Sequence, residues 1–153
     1  MPQDTIEKRL MTVPFFGTCL ASSELTLVSK RINVPFRVAR IRASFALNTN
    51  RTLLLRFFVS PDDTAPTTGK PTGVSILAER GQVDYITGDD EVKEFPTEIL
   101  FKEAGYYIKV HATNNDTFDH TVDAQITVEL LPRWNGKDHQ TIGPEGKGTS
   151  QEV

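Results

Sequence analysis

Nucleophilic catalysis asks for a serine, threonine or cysteine activated by a base that a third group holds in place. The chain has one cysteine, Cys19, and three histidines, His111, His120 and His139. By alternation His111 stands at a solvent-facing position of a strand, His120 closes a polar turn and His139 lies in a polar terminal stretch. None is set in a spacing that delivers a nucleophile to it, and three scattered histidines do not make the metal cluster of a cupin-like enzyme. The sequence contains no Gly-x-Ser-x-Gly, no glycine loop followed by a phosphate-binding lysine and no HExxH. The expectation is a protein that is not an enzyme and carries no cofactor, with Cys19 a bystander thiol. A single cysteine also excludes an intrachain disulfide and a thiolate cage for zinc.

Two oxygen-rich turns are the candidates for calcium: Asp89, Asp90 and Glu91 in one, Asn114, Asn115, Asp116 and Asp119 in the other. Neither has the spacing of an EF-hand, and turns select Asn and Asp for backbone reasons alone, so no bound metal is expected. Sugar rings stack on exposed aromatics, for which Tyr85, Tyr107, Phe118 and Trp134 are available, beside the loop Ser60–Gly73 and the turn Asn114–Asp119. The Pro-Phe-Phe-Gly stretch at 14–17 adds two more apolar rings. Phe15, Phe16, Phe118 and Trp134 are therefore the candidates for an interface or a ligand. With 17 Lys and Arg against 20 Asp and Glu, the net charge of −3 gives no basic face for a nucleic acid. Arg31, Arg37, Arg40 and Arg42 cluster, but they alternate with apolar residues as the wet side of a strand does.

The elements that must position these residues are strands. From Glu24 to Leu131 apolar and polar residues alternate, with β-branched and aromatic residues in most apolar positions. In Thr121–Leu130, Val122, Ala124, Ile126, Val128 and Leu130 point one way and the polar residues the other. Ile41–Leu47 and Leu53–Val59 read as a hairpin around Asn48–Asn50, and Tyr106–Ala112 with Thr121–Leu131 as a second one around Asn114–Asp116. Val34, Phe36 and Val38 carry the opposite parity from Ile41, so a β-bulge is expected near Ala39. Three prolines and two glycines make Ser60–Gly73 a surface excursion. Val74–Ala78, Val83–Thr87 and Glu91–Phe95 read as short strands, with a break at Pro96.

Six to eight short strands without helices predict an all-β, antiparallel β-sandwich or jelly roll. A chain of 153 residues fits one such domain. It is expected over residues 24–132, with an N-terminal arm at 1–23 and a C-terminal arm or tail at 133–153. Asp4 and Glu7 upstream and Pro14 within it keep Leu10–Ala21 from reading as a signal peptide, and no run is long enough for a membrane span.

A compact sandwich flanked by two arms resembles the small β-sandwich and jelly-roll structural proteins of virus and phage particles, such as capsid decoration, spike or tail components. The resemblance is architectural. It implies a structural protein that forms homo-oligomers or a larger protein assembly and resides in the virion. A carbohydrate-binding module is the second function that the sequence supports.

Overall fold

The computed structural model of the chain describes residues 9–79, 81 and 83–131. Eight strands follow one another: β1 (Arg9–Cys19), β2 (Glu24–Val28), β3 (Phe36–Phe45), β4 (Leu53–Ser60), β5 (Val74–Ser75), β6 (Glu91–Phe101), β7 (Tyr107–Asn114) and β8 (His120–Leu130). One helical turn, α1 (Ile76–Glu79), follows β5. The strands form two four-stranded antiparallel sheets, ordered β1-β8-β3-β6 and β2-β7-β4-β5. The pairs β1–β8, β2–β7, β3–β6 and β4–β5 are those of one long antiparallel ribbon folded in half. Rolling that ribbon adds the pairs β3–β8 and β4–β7 and splits it into two sheets, which is the jelly roll.

Alternation places the core between the sheets. Phe36, Val38, Ile41, Val122, Ile126 and Val128 of one sheet face Leu53, Leu55, Phe57, Ile108 and Val110 of the other, all essentially without exposure. Burying each such side chain contributes about 1.5–3 kcal/mol. The parity change upstream of Ile41 is a register shift between Val38 and Arg40 in both ladders of β3. At this bulge Thr97 donates its hydroxyl to the Val38 carbonyl.

Several expectations are corrected. Residues 9–19, expected in an arm, are a full-length edge strand: Met11, Val13, Phe15, Gly17 and Cys19 turn inward, and Arg9–Cys19 pairs with β8 throughout. Neither predicted hairpin exists, because β3 and β4, like β7 and β8, lie in different sheets. Alternation tells which face a residue takes, and both connections arch over the core instead of turning within a sheet. Leu47 lies past the end of β3 and is exposed. Residues 83–87 supply only an isolated bridge between Leu55 and Ile86. Pro96 does not end β6, since its missing N–H is harmless on an edge strand opposite a bulge.

Proline thus sits on both free edges of the first sheet, Pro14 on β1 and Pro96 on β6. The second sheet has short edges, five residues in β2 and two in β5. All four edges are poor templates for a further strand.

Candidate functional site

The outer face of the second sheet should be wet by parity, yet Lys109 and His111 on β7 are 0 % and 1 % exposed. The cause is the segment 61–73, which leaves β4 and folds back across that face. Lys109 Nζ donates to Asp62 Oδ1 at 2.8 Å, Thr64 Oγ1 at 3.3 Å and Thr72 Oγ1 at 3.2 Å, so all three ammonium protons have partners. The Lys109 ammonium, then the hydroxyls of Thr64 and Thr72, hold the Asp62 carboxyl well below the usual carboxylate range. Further along, Gly69 donates its N–H to Glu24 Oε1 at 2.8 Å, and Asp84 takes Lys70 at 2.6 Å and Arg56 at 3.3 Å. Lys70 foremost keeps the Asp84 carboxyl low.

His111 reaches Thr26 Oγ1 with Nδ1 at 2.9 Å and Glu24 with Nε2 at 3.0 Å. Burial pushes its pKa below the ordinary histidine value, and Glu24 opposes that shift. A neutral ring that accepts from Thr26 and donates to Glu24 satisfies both contacts. The order threonine, histidine, glutamate is that of a nucleophile, a base and its orienting acid. Here, however, the hydroxyl and the ring are both buried beneath the segment 61–73, where no scissile carbonyl can approach. The network clasps the loop to the sheet. His111, read from sequence as solvent-facing, is corrected to a buried staple for this reason.

The second constellation lies at the end of the sandwich where β1, β3 and β7 finish and β2, β4, β6 and β8 begin. Its four loops, 20–23, 46–52, 88–90 and 115–119, are tied in series. Ser22 N–H donates to Asp116 O at 2.9 Å, Asn115 N–H to Thr52 O at 2.9 Å, Arg51 N–H to Gly88 O at 3.1 Å and Asp90 N–H to Ala46 O at 3.2 Å. Asn114, 1 % exposed, is the keystone. Its Nδ2 donates to the carbonyls of Cys19 (3.0 Å), Leu20 (3.2 Å) and Phe118 (2.8 Å), and its Oδ1 accepts the Asp116 N–H at 2.9 Å.

These bonds account for the oxygen-rich turns. Asp89 accepts the Asn50 N–H, Glu91 the Asp89 N–H, and Asp119 the Ala21 N–H. Asp116 takes His120 Nε2 at 2.8 Å, which lowers its pKa. Among the described residues no three His, Cys, Asp or Glu side chains stand together as a metal site.

The aromatic candidates separate. Phe15 is 4 % exposed and belongs to the core, a correction explained by its inward parity on β1. Its neighbour Phe16 points out of the first sheet, 73 % exposed, and Phe118 stands out of the loop platform, 71 % exposed. Leu20 and Leu47 are exposed on the same platform. Trp134 lies outside the described residues. Tyr107 and Phe118 are at opposite ends of β7, roughly 25 Å apart along a strand, so they do not form one stacking surface. On the outer face of the first sheet Arg37 pairs with Glu129 at 2.7 Å, and Arg40 and Arg42 share Glu94 at 3.4 and 3.6 Å. Cys19 is buried, and burial pushes its thiol pKa up.

Sequence reasoning missed Lys109, Asp62 and Asn114 as structural hubs. The one available signal was Lys109 amid the apolar Ile108 and Val110, with Asp and Thr residues crowded into 62–72.

Fold and sites define an eight-stranded jelly-roll domain whose polar clusters are spent on holding loops. No family model and no curated protein matches the chain. Among solved structures it is similar to the chain described as "Cyanophage Pam1 capsid asymmetric unit", with 13% identity over 86% of this chain and 91% of that one and a TM-score of 0.48. It is also similar to the VP2 subviral particle of infectious bursal disease virus, with 10% identity, a TM-score of 0.41 and 84% of this chain covered. There it spans about a third of the longer chain (34%). The Yersinia pseudotuberculosis-derived mitogen is similar over 86% of this chain and 94% of its own, with 11% identity and a TM-score of 0.38. Capsid chains thus stand among the similar structures, as the architectural resemblance implied. At TM-scores under 0.5, these likenesses carry no argument about function.

Proposed function

We propose that the chain is a non-enzymatic structural protein that assembles into homo-oligomers as a component of a virus or phage particle. The observation that carries this reading is the set of large apolar side chains held in water by hydrogen-bonded backbone: Phe16 on β1, and Leu20, Leu47 and Phe118 on a platform whose loops are hydrogen-bonded to one another. Apolar side chains grouped on a surface in this way characterise protein contact sites. Preorganised loops lose little further entropy when they are covered. The groups able to do chemistry, Lys109, His111 and Thr26, are buried in the clasp beneath 61–73. Jelly rolls serve capsids, lectins and enzymes alike, so the surface, and not the fold, supports this choice.

Light scattering of the full chain over a concentration series tests it, beside a variant lacking residues 133–153. A discrete oligomer is expected for the full chain, weakened in the shortened one at unchanged circular dichroism. A strict monomer at every concentration would refute the proposal.

A further inference from the structure

Among the described residues, the two ends of the jelly roll carry opposite charge. In the four tied loops Asp89, Asp90, Asp116 and Asp119 face a single cation, Arg51, and Asp123 lies a few residues along β8. At the other end, the connections 29–35 and 102–106 and the start of β1 bring Arg9, Lys30, Arg31 and Lys102 against Glu103 and the nearby Asp63. Strands of 11 residues hold these ends about 35 Å apart. At about 0.15 M salt that is several screening lengths, so neither end neutralises the other within one molecule.

Each end also shows apolar side chains beside its charge. At the acidic end these are Leu20, Leu47 and Phe118, with Phe16 next to Asp123 in the β1–β8 register. At the basic end Leu10 and Leu100 are exposed and flank the Arg37–Glu129 pair, since Leu10 stands opposite Glu129 and Leu100 opposite Arg37. Sheet-to-sheet extension is disfavoured by Pro14 and Pro96 on the edges of the first sheet and by the short edges of the second.

We infer that the acidic loop platform docks onto the basic end of a second copy of this chain, so that copies stack head to tail along the strand direction. The inference rests on the assembly reading above and names the contact. Phe118 and Leu20 form its apolar centre, and carboxylates meet Arg9, Lys30 and Arg31 around the rim. Such an interface is heterologous: each copy offers one surface and receives on the other, and the stack ends only when a ring closes.

Two variants test this. The first changes the acidic end by Asp90→Asn, Asp123→Lys and Phe118→Ser. The second changes the basic end by Arg9→Glu, Lys30→Glu and Leu10→Ser. All six residues are exposed, so the fold should survive, and circular dichroism with a urea midpoint confirms it. Each variant alone should be monomeric. Mixed, they should form a 1:1 dimer and nothing larger, joining the intact basic end of the first to the intact acidic end of the second. In the unaltered chain, raising salt from 50 to 500 mM should weaken association roughly tenfold.

A mixture that stays monomeric, or either variant assembling as the unaltered chain does, would overturn head-to-tail docking while leaving the assembly reading in place. An unaltered chain that is monomeric at every concentration would sink both.

Discussion

Replacing Asn114 separates a structural staple from a ligand site. The side chain makes one hydrogen bond in the interior, to the Cys19 carbonyl, and three at partly buried atoms, to Leu20 O, Phe118 O and the Asp116 N–H. In Asn114→Ala the buried carbonyl loses its donor, at about 1–3 kcal/mol, and the other three groups gain water in exchange at about 0.5 kcal/mol each, for a total near 3 kcal/mol. With a urea m-value of about 2 kcal/mol/M, the midpoint should fall by roughly 1.5 M. Asn114→Asp, nearly isosteric, should be worse at neutral pH than Asn114→Ala. It sets an acceptor oxygen against three carbonyl oxygens now 2.8–3.2 Å from Nδ2. Part of that loss should return in acid, where a protonated carboxyl can donate again. The assay is urea unfolding of the three proteins at neutral and acid pH, with and without calcium. If Asn114→Asp matched the unaltered chain, or calcium restored it selectively, the residue would be a metal ligand and the staple argument would fail.

Two further outcomes concern the clasp on the second sheet. His111 has a lowered pKa in the fold, chiefly through burial, so the folded state binds its proton less readily than the unfolded chain does. Its contribution is fully present above pH ~6.5 and is lost as pH falls from there toward the folded pKa, with a slope of at most about 1.4 kcal/mol per pH unit. His111→Gln should flatten urea-derived stability between pH 6.5 and 5, and an unchanged slope would contradict the assignment. Asp62→Ala leaves the Lys109 ammonium buried without its counter-ion, whereas Lys109→Met removes the charge and keeps the stem, so the first should lower the urea midpoint more. Limited proteolysis should find 61–73 opened in both variants, and resistance equal to that of the unaltered chain would mean that the ion pair does not hold the segment.

Much of the fold was legible because a strand in a two-sheet domain repeats every two residues. Val122 through Val128 and the phase change at Ala39 could be read directly. Partner choice could not. Nothing local in 46–52 or 115–119 tells whether a connection turns within a sheet or arches to the other one. β1 was hidden because the outward-facing apolar residues Leu10 and Phe16, with Pro14 and a glycine, dilute its alternation, although the odd positions from Met11 to Cys19 keep it. The clasp escaped for a different reason: Lys109 and His111 obey wet parity, and a loop 37 to 47 residues away in sequence makes them dry. The exposed Phe118 was visible as an aromatic in a polar turn, but the charge polarity of the two ends required knowing which loops share an end.

Because β1, among the described residues, finds its sheet partner only in β8, the order of synthesis and the order of pairing are opposed. Thr12 waits for Thr127, 115 residues later, which at about 5–20 residues per second is on the order of 6–23 s of translation. During that interval β1 has no strand to pair with, and the sheet containing β3 lacks its centre. Folding of this sheet therefore waits for β8, and any early holder of the nascent chain would compete for β1 before β8 arrives.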